Sequence, residues 1–95
     1  MSFFGFGPPP QNQAQGVATT AGGVPGVEDV EKCRVRKMGL EFYVDIHIGV
    51  HAEITVREGH AIAHLVKNAV RTANPAIADV LVHVEPVERE PRYDG

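Results

Sequence analysis

One cysteine, one serine and no tryptophan narrow the chemistry open to this chain. A lone Cys33 forms no intrachain disulfide and no Cys-x-x-Cys site, which points to a reducing compartment; its simplest reading is a small buried hydrophobe. Ser2 is the only serine and lies in a Gly/Pro-rich start, so a Ser–His–Asp arrangement lacks its nucleophile. No glycine-rich phosphate loop precedes a helix. No apolar run approaches the ~20 residues that a membrane helix needs. The start also lacks the basic residues and unbroken apolar segment of a signal peptide. Neither sign of charge dominates: 9 Lys and Arg stand against 12 Asp and Glu, for a net charge of −3. Nothing in that balance attracts nucleic acid or an anionic membrane surface. The expectation is a soluble cytoplasmic protein that is not an enzyme and does not insert into a membrane.

What the chain does have is histidine. Five occur in 95 residues, all between His47 and His83. The first lies in Glu41 to Val50, where Phe42, Val44, Ile46, Ile48 and Val50 alternate with Tyr43, Asp45, His47 and Gly49. Alternation of this kind is a strand with one apolar face. An echo follows in Asp79 to Val87, where Val80, Val82 and Val84 alternate with Leu81, His83 and Glu85. If these strands are neighbours in register, His47 and His83 meet beside Asp45 and Glu85. Imidazoles mixed with carboxylates suit Zn2+ or another first-row divalent cation. The alternative is a set of ordinary surface or hydrogen-bonded histidines. His60 and His64, four residues apart on a helix, can chelate one ion, but the residues between them are Ala61, Ile62 and Ala63. The glutamate that a zinc protease places there is missing. His64 and His51 otherwise read as solvated surface.

Residues 1–23 read as a Gly/Pro-rich leader, flexible or forming a short helix over Gln11 to Ala21 that docks through Val17. Phe3, Phe4 and Phe6 are an aromatic cluster suited to a partner or to folding back. About 65 residues then remain for a core, marginal for a domain unless a metal or a second subunit adds to it. Val24-Pro25-Gly26-Val27 is a turn. Asp29 to Lys37 is a first strand with Cys33 and Val35 on one face, and the turn at Lys37-Met38-Gly39 makes a hairpin with the second strand. Thr55 and Glu58 have capping-box spacing at the start of a helix that runs to about Thr72 and stops at Asn74-Pro75. Its apolar positions are Ile62, Leu65, Val66, Ala69, Val70 and Ala73. The predicted domain spans 24–88, with a charged tail over 89–95. The order strand, strand, helix, strand predicts a right-handed crossover between parallel strands, with the helix on the valine face. The face holding His47 and His83 is left open to a second subunit.

Several of these stretches together carry a family resemblance: Val24 to Val27, Cys33-Arg34-Val35-Arg36 with Gly39, Phe42 to His47, Gly59-His60-Ala61-Ile62-Ala63, and Asp79 to Pro86. From Val24 to Val87 the chain resembles the cytoplasmic C-terminal domain of cation diffusion facilitator transporters. The resemblance implies an α+β fold: a small open-faced (α)ββαβ metallochaperone-like, ferredoxin-like sandwich with a three-stranded sheet and helices on one face. It implies a V-shaped homodimer that binds divalent metal, mainly zinc, near the subunit boundary and regulates transport. His47, His60 and His83 resemble family ligands, and Glu85 stands where the family often has a bridging aspartate. Glu31 falls where some members have a histidine; Asp45 and His64 are further candidates. The family's membrane domain is missing from the sequence given, which is read as either a free-standing version or an excised piece, with a membrane cation transporter as a candidate partner. The alternatives are a metal-independent dimerisation or partner-docking module and a soluble metal carrier.

Overall fold

A computed structural model describes residues 10–87; Phe3, Phe4, Phe6 and the tail expected at 89–95 lie outside them. The elements are α1 (Pro10–Gly22), β1 (Asp29–Met38), β2 (Glu41–Val50), α2 (Val56–Ala73) and β3 (Ile77–Pro86). β2 is central in a three-stranded sheet of order β1-β2-β3. It runs antiparallel to β1 and parallel to β3, the latter across the α2 crossover. This is the α+β arrangement that the alternation and the crossover rule predict.

The alternation in β2 decides the layering. Phe42, Val44, Ile46 and Ile48 are buried, with Ile46 and Ile48 fully so, while Tyr43, Asp45 and His47 on the other face stay partly exposed. Val66 and Val70 of α2 close over the buried side together with Val80 and Ile77 of β3. Thr55 caps α2 as its spacing predicts: its hydroxyl accepts from the Glu58 amide at 3.0 Å, and the Glu58 carboxylate accepts from the Thr55 amide at 2.9 Å. The apolar stripe of α2 is narrower than the sequence suggests. Leu65 is 49% exposed, because it sits about 100° around the helix from Val66. Ala73, in the last turn, is also exposed.

Residues 10–22, read from sequence as flexible or as a short helix docking through Val17, form α1. Proline opens the helix, where its missing N–H costs no hydrogen bond. Ala14, Val17 and Ala21 then share one face; Val17 is 4% exposed and Ala21 fully buried. Small residues at that spacing let α1 settle closely on β1 and α2, and this packing outweighs the weak helix propensity of Gly16 and the threonines. The packed unit therefore begins ahead of Val24. After α1, Gly26 takes φ 97°, and a Cβ there would lie 2.7 Å from Ile62 Cδ1. The turn thus needs glycine for both its backbone angle and the close approach of α2.

Candidate metal centre

The open face of the sheet collects the chemistry. His47 of β2 and His83 of β3 are direct register partners. Their rings stack with centroids 4.2 Å apart and an interplanar angle of 11°. Each ring is held by a carboxylate set diagonally across the two strands. His47 Nδ1 lies 2.7 Å from Glu85 Oε2, and His83 Nε2 lies 2.6 Å from Asp45 Oδ1. The pleat explains the ladder: residues two apart on a strand share a face, and diagonal neighbours are within reach of long side chains. One ligand atom from each of Asp45, His47 and His83 lies within 4.8 Å of the others, all three side chains being half-buried.

A third carboxylate, Glu31, reaches the same end of the sheet from β1. The pairing of β1 with β2 skips a residue between Val30 and Lys32, so Glu31 occupies a bulge. Opposite, Gly49 leaves the space that the side chain uses: a Cβ on Gly49 would stand 3.2 Å from Glu31 Oε2 and 2.7 Å from Val87 Cγ2. Glu31 and Glu85 then share a hydrogen bond. That bond, with desolvation and the nearby charge of Glu85, raises the Glu31 pKa above the ordinary glutamate value. Glu85 shifts the other way, held below the ordinary range first by its hydrogen bond to His47 and then by the one from Glu31. Two carboxyls shifted in opposite directions thus stand side by side next to the stacked imidazoles.

Of the residues singled out in the sequence, His47, His83 and Asp45 come together, with Glu85 on Nδ1 of His47 and Glu31 beyond it. His60 does not join them. It lies on α2, in the helical layer on the other side of the sheet, where its Nε2 is 3.1 Å from His64 Nε2. Of the expected set, His47, His83 and Glu85 lie on the sheet and His60 on α2, although His60 and Glu85 both line the hollow between the start of α2 and the end of β3. His51 is exposed and accepts from the Glu53 amide at 3.0 Å. Gly49 carries no mark of this role in sequence beyond being a glycine inside a strand pattern, the usual sign of close approach.

The donor chemistry fits a first-row divalent ion. Two imidazoles and a carboxylate are the mixed N/O set that zinc and its neighbours take, and an open sheet face leaves room for further ligands. Glu85 on His47 Nδ1 resembles the carboxylate that fixes the tautomer and orientation of a ligating histidine.

Residues 9–87 match the family model described as the cation efflux protein, cytoplasmic domain. Metal tolerance protein C1 of Arabidopsis thaliana is 27% identical over 77 residues, which are 81% of this chain and 16% of that protein. The cation-efflux pump FieF of Cronobacter sakazakii is 25% identical over 84 residues, 88% of this chain and 28% of that protein. The chain thus spans well under a third of the length of these relatives. Among solved structures, a variant of the MamM C-terminal domain superposes with a TM-score of 0.79 at 31% identity, covering 82% of this chain and 98% of that one. A nickel form of another MamM variant gives 0.75 at 33% identity, covering 82% and 95%.

Proposed function

Because this chain belongs to the family of cation efflux protein cytoplasmic domains, we propose that it is a regulatory dimerisation domain that binds a divalent cation, zinc first, on the open face of its sheet. The observation that carries this reading is the stacked His47–His83 pair flanked by Asp45 and Glu85. Asp45, His47 and His83 supply ligand atoms, and Glu85 orients His47. Glu31 balances the charge at the edge of the site. A homodimer is the proposed assembly. Leu81, 58% exposed on the same face, gives a second copy an apolar contact beside the ligands. Metal bound near that boundary offsets the mutual repulsion of the carboxylates and draws two copies together. A membrane cation transporter, facing the cytosol, is the proposed partner.

Zinc titration by calorimetry, run beside sedimentation velocity with and without zinc, tests the reading. The wild type is expected to bind zinc and to shift toward a more compact or more dimeric species. His83→Ala is expected to lose both responses. Zinc binding by His83→Ala equal to that of the wild type would leave a metal-independent docking module as the function. Neutral imidazole is the ligand form, so affinity at about pH 5.5 is expected to fall well below that at about pH 7.5.

A further inference from the structure

The net charge of −3 hides an uneven spread. Lys32, Arg34, Arg36 and Lys37 of β1 stand within one short stretch that holds no carboxylate, and all four are exposed. That strand ends in an apolar tip. Gly39 and Leu40 form a two-residue turn between the register partners Met38 and Glu41, with Gly39 at a φ of 66°. Turns of this kind draw glycine, asparagine and aspartate. Here the apex carries Leu40, 83% exposed, beside Met38 at 57%. We infer that this tip docks the protein on an anionic phospholipid surface, with Met38 and Leu40 entering the interfacial layer and Arg34, Arg36 and Lys37 among the headgroups.

The chemistry needs both parts. Single exposed apolar residues are ordinary, and a few cations alone are easily screened by salt. Apolar side chains set beside cations supply the two signals that hold a protein at a membrane surface. Lys37 brings its charge to the apex itself, where Nζ donates to the Gly39 carbonyl at 2.8 Å. Arg34 and Arg36 follow on the open face, opposite Asp45 and Tyr43. The ion pairs among the described residues leave these cations out: Asp45 is taken by His83 and Asp79 by Lys67. Glu41 stands near the tip and accepts from the Tyr43 hydroxyl at 3.3 Å. The contact is superficial, since no helix among the described residues is long and apolar enough to cross a membrane.

Other segments meet at this end. The Phe42 amide donates to the Ala76 carbonyl, which brings the start of β3 beside the start of β2. Asn74, at the end of α2, is hydrogen-bonded to Gln13 in α1. The chain thus enters α1 at the end that carries the tip. Phe6, four residues before Pro10, is tethered within about 14 Å of it, so the aromatic cluster joins the chain on the same side. The metal centre lies away from the tip. His47 pairs with Lys32, and Glu41 with Met38, a separation of about 20 Å along the strands. The inference therefore stands whether or not the sheet-face reading does.

The full chain, with a chelator present, is sedimented with vesicles of phosphatidylcholine alone or of phosphatidylcholine and phosphatidylserine in equal parts. The wild type is expected to bind the anionic vesicles more tightly by about tenfold or more, and to leave them at high salt. Leu40→Asn, which suits the turn, is expected to weaken that binding by about fivefold or more with circular dichroism unchanged. Arg36→Gln should weaken it by about fivefold, whereas Arg57→Gln, at the start of α2 and away from the tip, should not. Failure of the wild type to bind anionic vesicles overturns the inference. Equal binding by Leu40→Asn and the wild type also overturns it, as do equal losses from Arg36→Gln and Arg57→Gln, which would reduce the contact to general charge attraction. Retention only on vesicles that carry a membrane cation transporter would make the tip a protein-docking surface and overturn the lipid reading.

Discussion

The two faces of β2 are made by the same ten residues and obey opposite rules. On the helix side Phe42, Val44, Ile46 and Ile48 are sealed under α1 and α2 and carry the stability of the fold. On the open side Tyr43, Asp45 and His47 contribute little burial but nearly all the reactive chemistry. One face is redundant, since many apolar contacts share the load; the other is specific, since each imidazole has one carboxylate. The difference suggests that stability and metal response can be altered separately, because they depend on side chains pointing in opposite directions.

The sharpest way to break this division is Ile46→Ala. Ile46 is fully buried in the central strand, so the substitution is expected to cost about 2–5 kcal/mol by urea denaturation. His83→Ala is the counterpart on the other face. It is expected to change stability without metal by less than about 1 kcal/mol, since the ring is half-exposed, yet to weaken zinc binding by at least tenfold in calorimetry, about 1.4 kcal/mol. Equal losses of stability from the two substitutions would refute the division. Thr55→Ala removes the capping box and should lower stability by about 1 kcal/mol with zinc affinity unchanged. The smallest expected effect is at the Lys67–Asp79 pair. The Asp79 carboxyl is held below its ordinary value, chiefly by its hydrogen bond to Lys67. A lowered folded pKa stabilises the fold above the unfolded value, and this contribution disappears as pH falls through the folded one. Lys67→Met should move the Asp79 pKa, followed by NMR, upward and weaken that acid dependence, the Val80 amide and Arg71 retaining part of it. Because the pair is exposed, neutral-pH stability should change little.

The strands and α2 were legible because period-two alternation, a capping box and an Asn-Pro stop are local signals. The crossover rule then made β2 and β3 parallel neighbours, which is enough to bring His47 beside His83. α1 was less legible, since its stability comes from Ala14, Val17 and Ala21 meeting other elements rather than from its own propensity. His60 illustrates a different difficulty. Family likeness grouped it with His47 and His83, but a residue on a helix that covers the opposite side of the sheet cannot be located relative to them from spacing alone. The reach of Glu31 was hidden as well. It depends on a bulge and on the space over Gly49, and both arise only when β1 and β2 pair.

The parallel pairing of β2 with β3 has a kinetic consequence. His47 and Glu85 are 38 positions apart in sequence, with the whole of α2 between them. A nascent or partly opened chain thus holds the two halves of the sheet-face site far from each other, and an ion that joins them fastens a long loop. Bound metal should therefore act as a removable clasp that slows the departure of β3, so that chelation shortens the lifetime of the native state before it alters its shape.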